Sequence, residues 1–170
     1  EVGAVYRRLR RREPQRVDSV GDVERRERDD GTSTKYRWDA GWNMINEENG
    51  GGTLTMTYVR APLGIVGSVL ADLAGSTPGS GTVRYYGLDR LGSTRSLWSN
   101  VKTSLGSYEY TPYGESYSEF GATVDHRYTS YAWDAETGLY FAPYRYYRPG
   151  LARWLSRDPL GMVDGLNLYT

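Results

Sequence analysis

Residues 131–169 read YAWDAETGLYFAPYRYYRPGLARWLSRDPLGMVDGLNLY, and this stretch decides the fold. Its aromatic residues come in short runs typical of β-strands, since ring side chains pack well on a pleated surface. Turn residues separate the runs at DAETG (134–138), RPG (148–150) and DPLG (158–161). The stretch therefore predicts short antiparallel strands joined by tight turns.

The composition of the whole chain favours the same fold class. The 170 residues include 16 Tyr and 5 Trp but only 2 Phe, together with 21 Gly. Tyr and Trp join an apolar ring to a polar tip, which suits half-buried strands, and glycine suits tight turns. At this length the chain is one domain or a piece of a larger one.

Charge and residue usage exclude several classes of function. The 21 basic and 21 acidic residues give a formal net charge of zero, which argues against a nucleic-acid partner. The absence of cysteine excludes disulfides, thiol catalysis and cysteine-based zinc sites. No cofactor or metal motif is present, and the single histidine, His126, is expected at the surface. The longest apolar stretch, residues 61–71, is shorter than the ~20 residues of a membrane span.

Turn signals divide the chain into two predicted parts. Residues 1–33 form a charged N-terminal segment, interpreted as edge strands or a frayed end, with a charged helix over 20–30 as the alternative. Residues 34–170 carry short strands separated by turns, with a short irregular or helical insert near residues 64–75. The predicted strands are residues 34–38, 42–47, 53–60, 82–89, 94–99, 107–112 and 127–133, with turns at 39–41, 49–52, 76–81, 91–93, 105–106 and 112–114.

An aromatic cluster followed by Asp or Gly turn chemistry recurs along the chain. Tyr86, Tyr110 and Trp133 belong to three of these clusters and are 24 and 23 residues apart (86 to 110, then 110 to 133). A period of roughly 20–50 residues is typical of repeat architectures, in which each unit buries its apolar face against its neighbours. The predicted fold class is all-β, an antiparallel meander of hairpins.

Taken in order, the motifs resemble those of the RHS/YD-repeat proteins, and in particular their RHS-repeat-associated core domain. The strand pair TKYRWDAGWNMINE (34–47) and TLTMTYVRAPLG (53–64) opens the resemblance. It continues through YYGLDRLGSTRSL (85–97), YEYTPYGE (108–115) and the long C-terminal stretch, which ends in GLNLY (165–169). The resemblance covers residues 34–170, and its C-terminal stretch is the most specific part.

The resemblance assigns motif or structural roles to residues that match the family pattern. The Tyr-Asp dyads of that pattern are mostly broken, and Arg148 stands for an Asp, Ala152 for a Gly, and Gly87 and Arg90 for two His residues. The departures leave the expected fold intact. The matching residues are Tyr86, Asp89, Leu91, Gly92, Tyr113, Gly114, Glu136, Thr137, Gly138, Tyr146, Tyr147, Pro149, Pro159, Gly161, Asn167 and Tyr169.

The resemblance also implies an architecture and partners. It implies a β-sheet that spirals into a hollow shell, with residues 34–170 at the C-terminal end of that shell. The implied partners are the remainder of the shell and a downstream C-terminal effector or toxin domain, in an exported bacterial protein that is secreted or at the cell surface. No signal peptide opens the sequence, and the chain is expected to be a fragment that ends after the first of two DPxG motifs.

Asp158 is the candidate catalytic residue. The resemblance implies self-cleavage of the aspartic-protease type in the full-length protein, whose second acid would lie beyond residue 170. Two close carboxylates can share a proton, so that one activates water while the other protonates the leaving group. Arg153 and Arg157 are the expected supports for the charge of Asp158. The alternative is a simple turn, because Asp accepts local hydrogen bonds and Pro159 presets φ.

The many aromatic residues allow one further interpretation, a glycan-binding adhesion module. Rings stack on sugar faces, and tyrosine hydroxyls add hydrogen bonds. The competing interpretation is cross-strand packing that builds the sheet. On its own, the chain is expected to be structural rather than enzymatic.

Overall fold

The computed structural model describes residues 23–27, 31–39, 41, 43–61, 68–75, 81–142, 145–159, 161 and 167–169. Within these residues the chain forms a nine-stranded sheet, a four-stranded sheet and two single-turn 3-10 helices. The predicted all-β antiparallel meander is confirmed. The charged segment before residue 23, the insert at 64–67 and the turn at 76–80 lie outside the described residues.

The nine strands of the large sheet pair in sequence order, and every pairing is antiparallel. This order follows from the short connections, because a tight turn returns the chain to the adjacent position. The strands are β1 (Val23–Glu27), β2 (Ser33–Trp38), β3 (Met44–Asn49), β4 (Leu54–Arg60), β5 (Val69–Ala74), β6 (Thr82–Leu88), β7 (Thr94–Ser99), β8 (Ser104–Tyr110) and β9 (Ser116–Gly121).

After β9 the chain crosses back over the large sheet and builds the small one. Residues 122–131, here called the crossing segment, include a 3-10 helix at Tyr128–Ser130. The small sheet has the strand order β10 (Ala132–Asp134), β11 (Leu139–Ala142), β12 (Arg145–Arg148) and β13 (Arg153–Trp154), with a second 3-10 helix at Pro149–Leu151. Neither described helix is long or apolar enough to cross a membrane.

One face of the large sheet carries the core, and the crossing segment covers it. Successive strand residues point to opposite faces, so alternate positions are buried. The opposite face carries a row of residues that are paired across β4 to β7 in the order Val59, Ala71, Tyr85 and Trp98. The side chains of Val59, Tyr85 and Trp98 are about half exposed. The core cluster consists of Trp38, Met44, Tyr58, Val69, Tyr86, Leu97, Tyr108, Tyr110 and Val124.

Three local predictions were wrong. Residues 69–74 of the expected irregular or helical insert form strand β5, whose Val69, Ala71 and Asp72 are buried. Residues 128–130, expected in a strand, form a 3-10 helix in which Thr129 and Ser130 have positive φ. The expected turn at 105–106 lies inside β8.

The described part of the N-terminal segment is a strand. Residues 23–27 form β1 and pair with β2 at one edge of the large sheet, where the alternative prediction had a helix. The division of the chain into parts at residue 33 stays a prediction.

Candidate functional site at the junction of the two sheets

Five hairpin turns of the large sheet share one construction. In each, the first residue donates its backbone N–H to the carbonyl four residues later, and its own side-chain oxygen accepts the N–H of that same residue. This is a three-residue loop closed by a side-chain cap. The five turns are residues 39–43, 49–53, 89–93, 99–103 and 111–115.

In four of these turns the fourth position has a left-handed backbone. Gly52, Gly92 and Gly114 occupy it with φ of 85°, 79° and 85°, and Lys102 takes it with φ 63°. Glycine is favoured there because it lacks the Cβ that makes positive φ costly. Asp89 and Gly92, two of the motif residues expected from the sequence, are therefore the cap and the bend of one turn.

Turns of a meander alternate between the two ends of its strands. The turns at 39–43, 89–93 and 111–115 join β2 to β3, β6 to β7 and β8 to β9, so they lie at the same end. We call this the docking end, because the crossing segment and the small sheet contact it. It is the candidate functional site of the chain.

Hydrogen bonds fasten the crossing segment to the second of these turns and to the start of β7. Ser130 Oγ donates to the Gly92 carbonyl at 2.7 Å, and the Thr129 N–H donates to Ser93 Oγ at 3.1 Å. Thr94 donates its N–H to the Arg127 carbonyl at 3.0 Å and its hydroxyl to the His126 carbonyl at 2.8 Å. Buried backbone groups need such partners, so each bond also fixes the path of the crossing segment.

Three tyrosine hydroxyls hold the turn at 111–115. Tyr140 donates to the Gly114 carbonyl at 2.9 Å, Tyr147 to the Tyr113 carbonyl at 2.9 Å, and Tyr128 to the Pro112 carbonyl at 2.6 Å. The three donors come from β11, β12 and the crossing segment. The small sheet and the crossing segment therefore both hydrogen-bond to the same turn of the large sheet.

Aromatic packing continues the same junction. Tyr140 is nearly fully buried, and its ring centroid lies 4.8 Å from that of Trp133 and 6.2 Å from that of Tyr128. Burial also raises the pKa of the Tyr140 hydroxyl, which therefore remains a donor at neutral pH. At the β2 side, Trp38 and Phe141 have ring centroids 5.6 Å apart. These contacts join the small sheet to the large one over several strands.

The turn at 111–115 allows a matched test of this packing. A Cβ built on Gly114 would lie 2.5 Å from Tyr128 Cδ1, whereas one on Gly52, at the same turn position with the same φ, has nothing within 4 Å. Gly52→Ala should lower the free energy of unfolding by about 1–2 kcal/mol from backbone strain. Gly114→Ala should cost about 1–3 kcal/mol more, because the Tyr128 ring must move. Equal losses in urea denaturation of the two variants would contradict the packing described.

A buried ion pair lies under the crossing segment in the centre of the large sheet. The Asp72 carboxylate is fully buried and accepts from Arg84 Nε at 2.8 Å, Arg84 Nη2 at 2.5 Å and the Tyr86 hydroxyl at 2.6 Å. Burial, with the neighbouring Asp72, raises the pKa of Tyr86, so its hydroxyl stays protonated and donates. Asp72 was not selected from the sequence.

The single histidine is buried in the same layer, so the prediction of a surface His126 was wrong. Its exposed fraction is 1%, and its Nε2 lies 2.8 Å from Arg60 Nη2. Its ring packs edge-on against Tyr58, with centroids 4.3 Å apart. The contact joins positions 66 residues apart in sequence, which no local pattern reports.

Asp158 lies beside the small sheet, and the structure pairs it with Arg145. Arg145 Nη2 lies 2.8 Å from Asp158 Oδ2, with both side chains largely buried, and the Arg145 guanidinium lies over the Trp154 ring at 4.3 Å. Arg153, an expected support, instead lies over the Tyr169 ring at 5.0 Å, and Arg157 is exposed. Arg145, a residue of β12, was missed by the sequence reasoning.

The backbone around Asp158 forms a turn. The Gly161 N–H donates to the Asp158 carbonyl at 3.0 Å, and Gly161 has φ 68°. The Asp158 N–H donates to the Leu168 carbonyl at 2.9 Å, and the Trp154 N–H to the Tyr169 carbonyl at 3.0 Å. The DPLG turn is thereby tied to residues 168–169, beyond the described gap.

The remaining motif residues lie in turns and strands of the junction. Leu91 is exposed at a docking-end turn, and Glu136 and Thr137 donate their N–H groups to the Asp134 carboxylate at 3.0 and 3.3 Å. Gly138 ends that turn with φ 66°. Tyr146 packs on Phe141, Pro149 is buried at a 3-10 helix, Pro159 is exposed, and Asn167 accepts the Tyr169 N–H.

The structure gives no sign of a metal centre in the residues it describes. No three or more His, Asp or Glu side chains among them are grouped so that they could hold a metal ion. What the junction can do is mechanical: it fixes one end of a broad sheet against a small one.

Comparisons with known proteins relate the chain to parts of much larger proteins. No protein-family model matches it. Toxin subunit YenC2 of Yersinia entomophaga is 51% identical over 69 residues, 36% of this chain and 7% of that protein. Salivary gland surface protein 1 of Aedes aegypti is 33% identical over 109 residues, 61% of this chain and 3% of that protein. The chain thus spans less than a tenth of the length of either relative.

Two solved structures share the fold. TcdB2-TccC3 without its hypervariable C-terminal region superposes with a TM-score of 0.60 and 25% identity, over 86% of this chain and 7% of that one. The Photorhabdus luminescens Tc holotoxin pore superposes with a TM-score of 0.60 and 24% identity, over 88% of this chain and 7% of that one.

Proposed function

We propose that this chain, which its motifs and the comparisons identify with the RHS-repeat proteins, is a structural segment of a β-sheet shell that encloses or presents a C-terminal effector domain. The junction described above is the observation that carries the proposal. A broad sheet alone has one apolar face open to water, whereas here the crossing segment covers that face and the small sheet fixes one end of it. In a shell, such a junction would hold the sheet closed around the enclosed effector domain.

The proposal includes partners and location. The remainder of the shell would continue the sheet, and the enclosed domain would follow this chain in a longer, exported protein. The wide sheet with strands in sequence order supports this role, because such a sheet extends by adding strands at its edges. Secretion or display at the cell surface belongs to the same proposal.

Protease protection in the natural full-length protein tests the shell. The part that follows this chain should resist added proteinase K in the parent and become cleavable in Tyr140→Ala, which loosens the junction. Tyr117→Ala, at an exposed ring on β9, should leave protection unchanged. A following domain that is digested as fast in the parent as in Tyr140→Ala would overturn the enclosing role.

A second role, self-cleavage in the full-length protein, has one observation in its favour. Arg145 Nη2 lies 2.8 Å from Asp158 Oδ2, so the guanidinium holds and orients this carboxylate. Asp158 would be one of the two acids. The second would come from sequence that follows this chain.

Denaturing gels of the full-length protein test this second role. Two fragments from the parent and one intact chain from Asp158→Asn are the expected result, with Glu136→Gln, an exposed carboxylate change, cleaving like the parent. Two fragments from Asp158→Asn would show that Asp158 only shapes the turn. One intact chain from the parent would reject self-cleavage and leave the shell role standing.

No glycan-binding role is proposed. The core tyrosines Tyr58, Tyr86, Tyr108 and Tyr140 are buried, and their hydroxyls donate to protein acceptors. These four rings build the sheet and are closed to sugars, and the half-exposed rings of Tyr85 and Trp98 pair across neighbouring strands.

A further inference from the structure

We propose that His126 makes the crossing segment acid-sensitive, so that the junction between the two sheets loosens when the pH falls below about 6. The inference goes beyond the shell role, because it concerns the conditions under which the junction holds. It depends on the geometry around one buried imidazole.

The first step is the protonation state that the site requires. Arg60 can only donate, and its Nη2 lies 2.8 Å from His126 Nε2, so Nε2 must accept and carry no proton. The neutral ring then has its proton on Nδ1, which is buried and has no hydrogen-bond partner among the described residues. A second proton would have to go to Nε2, directly facing the Arg60 guanidinium.

The second step is the cost of adding that proton. Two cations would then lie in contact in a place closed to water, and burial alone already penalises a charged ring. Burial and Arg60 both lower the pKa of His126 well below its usual range. Burial also lowers the pKa of Arg60, to about 10, so Arg60 remains charged at neutral and acidic pH.

Among the residues that the structure describes, the other charged groups near the site do not supply a partner for the imidazolium. From β4, Tyr58 turns its ring to His126 and its hydroxyl to Glu47 of β3, at 2.7 Å, and more weakly to Asp125, at 3.4 Å. The negative charge of Asp39, next to β2, favours the charged form of Arg60. From β7 and β10 the contacts are with the His126 backbone, through Thr94 and Ala132.

The third step is what opens. His126 lies between the bonds that attach the crossing segment: its carbonyl accepts from Thr94, and the Arg127 carbonyl accepts the Thr94 N–H. A ring forced out of the site pulls on both bonds. The segment in turn carries Tyr128, which holds the turn at 111–115. Protonation is therefore relieved by releasing the crossing segment.

The sign of the pH dependence follows from the lowered pKa. In the open or unfolded chain, His126 has an ordinary histidine pKa of about 6.5. It therefore binds a proton at a pH at which the His126 of the closed site stays neutral. Stability is then complete above about pH 7.5 and is lost as the pH falls through 6.5. The closed-to-open equilibrium shifts by about tenfold for each further pH unit, until the closed-state pKa is reached.

Two measurements test the inference on the whole chain. The first compares the unfolding equilibrium in urea at pH 7.5 and 5.5 for the parent and His126→Gln, whose amide oxygen can accept from Arg60 but does not titrate. Between pH 7.5 and pH 5.5, the folding equilibrium constant of the parent should fall by a factor about ten times larger than that of the variant. Carboxylates such as Glu47 and Asp125 titrate in both proteins, so their effect cancels. Equal pH dependences would overturn the proposal.

The second measurement needs no variant and therefore survives a variant that fails to fold. His126 is the only histidine of the chain, so its ring signals in a nitrogen-proton NMR spectrum are unambiguous. The folded protein should show a neutral ring with its proton on Nδ1 at pH 5.5, together with faster amide exchange at Thr94 and Arg127 than at pH 7.5 after correction for intrinsic rates. A folded-state titration near 6.5, or unchanged protection of those amides, would overturn it.

Discussion

Replacing Asp72 by alanine should lower the free energy of unfolding by about 3–5 kcal/mol, the usual cost of removing one partner of a buried ion pair. Asp72 is fully buried and accepts three hydrogen bonds from Arg84 and Tyr86. Without it, the largely buried Arg84 guanidinium and the buried Tyr86 phenol lose their shared acceptor. The loss of stability comes mainly from these donors that lack an acceptor, because alanine itself can be accommodated in a β-strand.

The same sheet contains a matched surface pair for comparison. Arg95 and Glu109 also form an ion pair between neighbouring strands, but both side chains are more than one third exposed. Glu109→Gln should cost about 1 kcal/mol or less, since water screens the pair. Urea denaturation of both variants measures the difference. Similar losses from Asp72→Ala and Glu109→Gln would contradict a central ionic core in the large sheet.

Tyr140→Ala should cost about 3–5 kcal/mol, the range for deleting a buried ring. The ring lies between Trp133 and Tyr128, and its hydroxyl reaches the Gly114 carbonyl of the large sheet. Its loss removes packing and leaves a buried carbonyl without its donor. Because this side chain connects the two sheets, the small sheet should lose protection first.

Tyrosine-to-phenylalanine changes separate the hydroxyl from the ring. Tyr140→Phe should cost about 1–3 kcal/mol, because the buried acceptor is left unsatisfied. Tyr147→Phe removes a bond of the same length, 2.9 Å, but an exposed one that water replaces, so it should cost well under 1 kcal/mol. Calorimetric or denaturant unfolding of the two variants compares them directly. Equal costs would mean that Tyr140 does not bury its bond at the junction.

The fold was predictable where local chemistry and period agree. Strand β7 was predicted with the bounds it has, because its six residues directly follow the clear turn at 91–93. The turn at 99–103 was missed, since its left-handed position is held by Lys102 instead of glycine, and the Leu105–Gly106 pair drew the prediction into β8. Gly106 serves close approach instead: a Cβ there would lie 2.5 Å from the Tyr108 hydroxyl oxygen.

The site was harder to predict because its partners are distant in the chain. Asp158 was selected, but its partner Arg145 comes from an earlier strand, and proximity in sequence had favoured Arg153 and Arg157. His126 was expected at the surface because a single histidine gives little support to histidine-based catalysis or metal binding. Its neighbours Tyr58 and Arg60 are about 66 residues away, so only the path of the crossing segment brings them together.

The division of labour within the chain follows from these contacts. The large sheet is a broad surface in which five turns have the same construction. The crossing segment and the small sheet supply side chains that hydrogen-bond to turns at the docking end. Tyrosine suits this task, because a rigid ring fills the junction while its hydroxyl binds a turn carbonyl. Phenylalanine at positions 128, 140 or 147 would leave a turn carbonyl without its donor.

Native-state hydrogen exchange at pH 7.5 tests most directly whether the two sheets form one cooperative unit. The account predicts that amides of β11 and of the central strands β7 and β8 open with the same free energy, and that Tyr140→Ala lowers the protection of β11 below that of β7 and β8. Protection of β11 that is already far below that of β7 and β8 in the parent, and unchanged in Tyr140→Ala, would contradict it.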